Sequence, residues 1–446
     1  MKTLLLLALI DSASAKTCVP ARETIEHPRP ELASDYVRVH PSGDYVLHSG
    51  QGVHILKFEK AGADGRREVR VYETPMMDET APVDEDWEFI ASPNHGKNGE
   101  NDPGGEMRYY AFATLLRDQK KAQKVFSDPE HNEFYHTAYK HGVRNGIFEI
   151  RTMLFNDRKY RDYGLRLGPD GKVAKLVKSK IKEMCANFDK PWPKAKADRF
   201  RELEPQIVAE KNRIGLETRS LVSKLQKSGL ADLGEAEKAL DADLKLMGEG
   251  LGLSDIIKTD KIVLLRYLQW KLERHPLHQE FSRLANEKDE TVFKISEPIL
   301  SKNGRLLAGK HMSDETKGET THLWKVDEKG SCTLVKDLGY PTNKVSFSFP
   351  EARKLGRIAF TTSATNVNPG DPSNKEDLFV MDLDSGETKK VSLSSETPWY
   401  PGFTRDGRLV YKTTSTDGTS EKEKASFIIA DLHQVFDGKP ARCSER

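Results

Sequence analysis

Three glycines at almost one spacing, short alternating runs around each of them, and a central block of helical text predict the fold class. It is a mostly β chain: a β-propeller of four-stranded blades with an α-helical insertion between the third and fourth. Gly304, Gly356 and Gly407 stand 52 and 51 residues apart. A fixed period of that length marks a repeat architecture, in which one unit cannot bury both its faces and must stack on its neighbours.

The unit from Val345 to Leu393 shows the plan. Val345 to Phe349 alternates, Lys354-Leu355-Gly356 turns, and Arg357 to Thr361 returns. A polar loop, Asn366 to Lys375, leads into a hairpin from Leu378 to Leu383, the turn Asp384-Ser385-Gly386, and Thr388 to Leu393. These are four short strands with turn residues at each reversal. The next unit repeats them as Trp399 to Phe403, Arg405-Asp406-Gly407, Arg408 to Tyr411 and Ser426 to Leu432. The preceding unit runs from Lys302-Asn303-Gly304 through a second hairpin, His322 to Asp327, turning at Gly330.

The N-terminal half repeats more loosely. Tyr36 to His48 is followed by a hairpin from Val53 to Tyr72, and Asp86 to Ala91 starts a second unit with a hairpin from Met107 to Phe126. A third spans Phe134 to Leu176 and turns at Pro169-Asp170-Gly171. Six blades result, and the irregular stretch from Trp87 to Tyr110 leaves a seventh open. The last unit is short of an outer strand after Leu432, so a segment within Cys18 to Ala33 is expected to complete it. That pairing would bring the two ends of the chain together and protect the sheet edge.

Here the sequence meets a known family. Asp377-Leu378-Phe379-Val380-Met381-Asp382-Leu383-Asp384-Ser385-Gly386, followed by Pro401-Gly402-Phe403-Thr404-Arg405-Asp406-Gly407-Arg408-Leu409-Val410, resembles the repeat of TolB-type β-propellers. There a Pro-x-x-Ser-Pro-Asp-Gly-like segment follows a hairpin with an aspartate and a turn glycine. The match is good in the last three units, fair in the first, and weak in the second and third. Thr404-Arg405 stands where Ser-Pro is usual, and Phe349-Pro350-Glu351 opens an expanded turn before Gly356. The resemblance implies a protein-binding or scaffolding role in the cell envelope, by analogy of fold. Such propellers also serve as lids of serine peptidases, but beside the repeats this chain leaves no room for a hydrolase domain.

The first residues read as an export signal. Lys2 supplies a positive start, Thr3 to Ile10 is a short apolar run, and Ala13-Ser14-Ala15 suits cleavage after Ala15. A periplasmic or secreted protein is expected, and no stretch reaches transmembrane length. With 70 basic against 69 acidic residues, no overall field points to nucleic acid or an anionic membrane. The four cysteines, Cys18, Cys185, Cys332 and Cys443, form no C-x-x-C pair, which disfavours zinc and dithiol chemistry. Export makes two disulfides the expectation, with three connectivities open. Closure by an N-terminal strand would place a Cys18–Cys443 bridge at the seam, leaving Cys185–Cys332 to tie neighbouring blades or the base of the insertion.

The expected domains are therefore a signal peptide over 1–15, blades over 16–188, the insertion over 189–288, and blades over 289–446. Within the insertion Ile207, Ile214, Leu221 and Leu225 share one face of a helix from about Pro205 to Gln226, ended by Ser228-Gly229. Leu233, Ala236, Leu240, Leu244 and Met247 give a second helix, stopped by Gly248 and Gly250. Asp260 can cap a third, with Leu264, Leu265, Leu268 and Leu272 buried and Pro276 after it. Insertions in repeat scaffolds gather on one face, which makes this block a candidate partner-binding arm. Leu216, Leu246 and Trp270 are its candidate contact residues.

The search for catalytic motifs finds no G-x-S-x-G, H-E-x-x-H, phosphate loop or dinucleotide fingerprint. Ser179 to Lys182 fits S-x-x-K without that motif's companions, and four common residues match readily by chance. His131, His136 and His141 are spaced by five, which suits one face of neither a helix nor a strand, so they read as packed or solvated. Asp78-Glu79 with Asp84-Glu85-Asp86, and the loop from Asn94 to Glu106, read as polar surface rather than as cation sites.

Three polar loops, Ser313 to Thr321, Ser363 to Asp377 and Thr414 to Lys424, join the second and third strands of their units and belong on one rim. His311, Trp399 and Tyr400 are candidates for that rim or the mouth of the pore, with a core position the competing reading of both aromatics. The function expected is binding of a protein partner, with no cofactor and no catalytic residue assigned. The alternative is a pore-centred lyase or hydrolase acting on a glycan or small lactone, drawing on His40, His136 and His311. The oligomeric state is left open.

Overall fold

The short alternating runs pair as antiparallel strands, and the helical text folds as helices, in the computed structural model of this chain. It describes residues 17–18, 22–28, 36–50, 52–60, 67–74, 76, 81–82, 86–94, 106–117, 124–128, 136–144, 147–154, 159–168, 172–178, 182–248, 250–257, 261–312, 318–351, 354–371, 375–415, 424–437 and 443–444. The expected export signal lies outside these. The chain divides into two compact units, Met1–Asn187 with Lys294–Arg446, and Phe188–Phe293.

In the first unit β1 (Thr17–Cys18) pairs antiparallel with β27 (Cys443–Ser444), and the register sets Cys18 opposite Cys443. The next strand, β2 (Arg22–Glu26), belongs to the last sheet. The first sheet is a meander of β3 (Tyr36–Val39), β4 (Tyr45–Gly50), β5 (Gly52–Phe58) and β6 (Val69–Glu73). The second runs β7 (Ala81–Pro82), β8 (Phe89–Asn94), β9 (Glu106–Ala111), helix α1 (Phe112–Arg117) and β10 (Lys124–Asp128). This corrects the expectation that Asp86 to Ala91 begins that unit: Ala81–Pro82 is its first strand and Phe89–Asn94 its second. Pro82 cannot donate to a ladder and so fits an edge strand, which is why the run looked unlike a strand.

The third sheet comprises β11 (His136–Arg144), β12 (Ile147–Leu154), β13 (Lys159–Leu167) and β14 (Val173–Lys178), with β15 (Lys182–Glu183) also on β13. The fourth holds β16 (Ser296–Leu300), β17 (Leu306–Met312), β18 (Glu319–Val326) and β19 (Cys332–Asp337). The fifth holds β20 (Asn343–Phe347), β21 (Arg357–Ser363), β22 (Glu376–Asp382) and β23 (Thr388–Lys390). The last is β24 (Thr397–Phe403), β25 (Arg408–Ser415) and β26 (Lys424–Asp431), with β2 as its fourth strand. The expected completion of this sheet by an N-terminal segment is what the register shows, Arg22 opposite Ala430 through Glu26 opposite Ser426.

Alternation explains why the middle strands read as continuous apolar text: both faces are buried. Ile358 and Phe360 pack toward Leu306, Ala308 and Leu323 of the fourth sheet, while Ala359 between them packs toward Leu409, Tyr411 and Ile428 of the last. Val410 in turn joins Phe427, Ile429 and Ile25 against Val37, Val46 and Leu56 of the first sheet. Leu47 and Ile55 meet Ile90 and Tyr110, and Phe89 and Tyr109 meet Leu165. Each such side chain is worth about 1.5–3 kcal/mol when taken from water.

Two further ties act on this framework. Arg22 of β2 forms an ion pair with the buried Glu396 and donates to the Val391 carbonyl at 3.1 Å. Glu396 also accepts from the Tyr411 hydroxyl (3.1 Å) and the Leu393 amide (2.9 Å). Between the third and fourth sheets a Cys185–Cys332 disulfide spans 147 residues of sequence. Around it the Cys185 amide donates to Gly330 O, and Asn187 exchanges two hydrogen bonds with the Cys332 backbone, all at 2.8 Å.

The second unit is built on α2 (Lys194–Ser228), with α3 (Glu235–Met247), α4 (Leu253–Ile257), α5 (Lys261–Glu273) and α6 (Pro276–Asp289). Val222, Leu225, Leu240, Leu244, Leu253, Ile256 and Tyr267 form its core. A second cluster stacks Phe200 on Phe281 at 4.4 Å with Trp192 edge-on, and Arg199 grips Glu280 through two hydrogen bonds of 2.9 and 2.8 Å. Two sequence expectations are corrected here. Helix α2 starts at Lys194, and Pro205 sits inside it, where its missing N–H costs one helical bond but its fixed φ still fits. Leu265 is 65% exposed, and Tyr267 is buried in α5 instead. Pro276 follows α5, as expected, and opens a further helix, α6, with the His275 ring accepting from the Leu277 amide (3.3 Å) as its cap. No described helix is long and apolar enough to cross a membrane.

Replacing Arg22 by Ala leaves Glu396 as a buried carboxylate without its cation; urea denaturation at pH 7 should show a loss of about 3 kcal/mol. The Cys185→Ser, Cys332→Ser double variant should lose roughly 2 kcal/mol in the same assay. That is the low end for a long loop, because much of the bridged loop is the compact unit Phe188–Phe293.

Candidate functional site

The first strands of the last three sheets share a local device. In β16, β20 and β24 the pairing register slips between Ser296 and Ile299, between Asn343 and Ser346, and between Trp399 and Gly402. At each slip one non-glycine residue adopts a left-handed backbone: Glu297 (φ 51°), Lys344 (φ 50°) and Tyr400 (φ 47°). Each such residue stores on the order of 1–2 kcal/mol, and strand bulges are a recurrent means of re-aiming a side chain.

The re-aimed side chains join into one strip across three sheets. Lys310 of β17 bonds Glu297 Oε2 at 2.9 Å and Asn343 Oδ1 at 3.0 Å. Asn343 Nδ2 donates to Glu376 Oε1 at 2.6 Å, and Thr361 Oγ1 donates to Glu376 Oε2 at 3.3 Å. Lys344 Nζ lies 3.8 Å from Glu376 Oε2, 3.1 Å from the centre of the Trp399 ring and 5.9 Å from that of Tyr400. Its ammonium thus holds both a carboxylate and an aromatic face. The cations are sunk, Lys310 and Lys344 side chains being 14% and 16% exposed, whereas those of Glu297 and Glu376 are 50% and 39% exposed. What meets solvent is carboxylate and the accessible parts of Trp399 and Tyr400.

Of the residues the sequence singled out, Trp399 and Tyr400 lie in this strip, 6.3 Å apart, and Tyr400 also packs against the core between the last and first sheets. His311 does not. It follows Lys310 on the same strand and so points to the other face, where Nδ1 lies 2.7 Å from the Lys294 carbonyl and its ring meets His322 edge-on. Leu216 and Leu246 of the helical unit are 67% and 75% exposed. Trp270 is half-buried there, stacked on Tyr267 with the Arg274 guanidinium 4.0 Å from its ring centre.

Several candidates fall outside the described residues: His131, Asp78, Glu79, Asp84, Glu85, 95–105, and Ser179 to Ile181. For His136 and His141 only the backbone, within β11, is described. Among the described residues no group of three or more His, Cys, Asp or Glu could hold a metal ion. Glu297, Lys310, Asn343, Lys344 and Glu376 escaped sequence reading. The bulged residues are 47 and 56 residues apart, away from the glycine period, and only two of the three precede a proline.

At the opposite ends of the strands the glycine turns converge. Gly43, Gly304 and Gly407 each donate to the residue three back, His40, Ser301 and Thr404, from positive φ. The hydroxyls of Ser301, Ser348 and Thr404 accept the amides of Leu306, Arg357 and Arg408, so Thr404 makes the contact that serine makes in the other two turns. Arg405, in place of proline, forms an ion pair with Asp86, and its amide donates to Pro41 O. Lys302 Nζ sits 3.3 Å from the Phe349 ring centre and donates to Phe403 O.

His40, Ser42, Asp86, Arg405 and Asp406 line a cavity of about 310 Å³ at these turns. Burial among Tyr45, Trp87 and Phe112 pushes the His40 ring down to about 4, so it is neutral. Its Nδ1 accepts the Ser42 amide at 3.1 Å and lies 3.0 Å from Ser42 Oγ. The same nitrogen therefore closes a local turn, which explains the contact without catalysis.

No protein-family model matches the sequence, and no curated protein matches it. Among solved structures the chain is similar to the β-propeller domain of the trilobed protease from Pyrococcus furiosus, at 10% identity over 88% of this chain and 94% of that one, with a TM-score of 0.37. It is also similar to TolB from Acinetobacter baumannii, at 9% identity over 92% of this chain and 64% of that one (TM-score 0.32). Puromycin hydrolase matches at 11% identity over 88% of this chain (TM-score 0.29), and there the chain spans only 42% of the other protein's length. The four-stranded meanders are of the β-propeller kind.

Glu376→Gln weakens the bond to Asn343 and the pairing with the sunken Lys344 together. Chemical denaturation should show a loss of about 0.5–1 kcal/mol.

Proposed function

We propose that this chain is an exported protein-binding module, a six-bladed propeller whose docking surface is the strip on β16, β20 and β24. The observation that carries the reading is the Lys344–Trp399 contact inside a hydrogen-bonded strip continuous over three sheets. Half-buried aromatic side chains fixed by a cation offer rigid contact area at little entropic loss, as interface anchors do. The last residues of β17, β21 and β25, which lead into the polar loops of the sequence, lie at this same end of the strands.

Six sheets support the blade count, with apolar clusters between the neighbours from the fourth round to the third and a disulfide between the third and fourth, and β2 in the last sheet supports closure. The Cys185–Cys332 bridge supports an oxidising compartment, periplasmic or extracellular. In this reading residues 189–288 are an insertion between the third and fourth blades and a second contact element, with Leu216 and Leu246 offered to solvent.

Cross-linked capture from an envelope extract tests it. The full-length protein should retain a partner that Trp399→Ala and Lys344→Glu each reduce by tenfold or more. Equal capture by these folded variants, with loss only on deleting 193–287, would move the site to the helices. Equal capture by all three would overturn the reading.

A further inference from the structure

A cleft of about 470 Å³ opens between the fourth and fifth sheets, at the glycine-turn ends of their strands and away from the binding strip. One wall is the turn that the sequence marks as expanded. Ser301 and Thr404 stand three positions before the turn glycines Gly304 and Gly407, whereas Ser348 stands eight before Gly356. The longer turn brings Pro350, Glu351, Lys354 and Leu355 to the cleft. Asp384, from the turn after β22, holds it there by accepting the Leu355 amide at 3.1 Å and the Gly356 amide at 3.3 Å. The facing wall is the turn before β17 together with Lys325 of β18, which stands opposite Leu306 in register. Leu306 and Phe347, both buried, give the cleft an apolar floor.

The polar groups around this floor are mostly donors. Ser301 Oγ accepts the Leu306 amide and donates to Asn303 Oδ1, both at 2.8 Å. Asn303 Oδ1 also accepts the Arg305 amide at 3.1 Å, which fixes that atom as the oxygen. The Nδ2 donor of Asn303 is left without a partner among the described residues. Ser348 Oγ accepts the Arg357 amide at 2.8 Å and keeps its own proton to give. Arg305 and Lys325 are exposed and form no ion pair among the described residues. Lys354 instead pairs with Glu351 at 3.2 Å, so that couple is neutral. The described lining therefore carries an excess of two positive charges.

We infer that this cleft is a binding site for a carboxylate carried on an apolar body, whether the free end of a peptide or a small organic acid. The Arg305 guanidinium and the Asn303 amide are planar donors that suit the two oxygens of a carboxylate. Lys325 adds charge, and Leu306, Phe347 and Leu355 receive the apolar part. The Glu351 carboxylate in the same wall counts against a dianion such as phosphate, a repulsive element that sharpens the choice. The volume suits a ligand of one or two residues, toward the lower end of the range for small-molecule sites.

Isothermal titration of the full chain tests this with two acids, N-acetyl-leucyl-phenylalanine and phenylpropionate, each against its own amide, and with inorganic phosphate. At least one acid should bind about tenfold or more tighter than its amide. Tighter binding of the dipeptide assigns the site to a peptide end, and equal or tighter binding of phenylpropionate assigns it to a small acid. Arg305→Gln and Asn303→Asp should each weaken that acid by about tenfold with thermal melting unchanged. Asn303→Asp keeps the oxygen that holds Ser301 and the Arg305 amide, and replaces only the Nδ2 donor. Should it not fold, Lys325→Gln, at an exposed position, takes its place with the same expectation. The inference is overturned if neither acid binds below about 10 mM, or if an amide or phosphate binds as tightly as the better acid. Full affinity in any of these folded variants overturns it as well.

Discussion

The pairing of Arg22–Glu26 with Ser426–Ala430 is the constraint on which the other contacts of the first unit depend. It joins positions some four hundred residues apart, so its closure entropy is met only when every sheet between is already stacked. In return β26 loses its open edge, Ile25 fills the space between Val37 and Phe427, and Arg22 reaches the buried carboxylate of Glu396. A buried ion pair adds little over a well-packed apolar substitute. Its value here lies in register: a slip of one residue would turn Arg22 away from Glu396 and Ile25 out of the core.

The same logic runs from sheet to sheet. A strand such as Arg357–Ser363 is apolar on both faces because it lies between two neighbours, and neither face has water as an alternative. Gly402 shows how closely the sheets approach: a Cβ there would stand 2.6 Å from Val39 of the first sheet. A small residue there is a requirement of the stacking rather than of a turn.

The strip through Glu297, Lys344 and Tyr400 stands against this background of regularity. Three bulges with left-handed non-glycine residues are a local expense that stacking alone does not demand. They turn sunken lysines toward carboxylates and aromatic faces at the ends of the strands that carry the long polar loops. The opposite ends are tied together by Lys302, Arg405 and Asp86, which leaves the two ends of the strands chemically unlike.

What the sequence determined by itself were the features written in local chemistry. The glycines of the turns need positive φ, the alternating runs need two buried faces, and Ser228-Gly229 ends a helix, so each could be read from adjacent residues. The missing outer strand was legible as well, because an incomplete sheet must find its partner somewhere in the chain. Trp399 and Tyr400 were visible as aromatics on a predicted strand, but not their cation, since Lys344 comes from the neighbouring sheet. His311 looked equivalent to them and was turned away by the simple alternation of β17. Tertiary structure alone decided which charged residues sink and which histidines meet. Those outcomes depend on pairing registers and on contacts between sheets, and His27 and His48, separate in sequence, become neighbours only once the last sheet is closed.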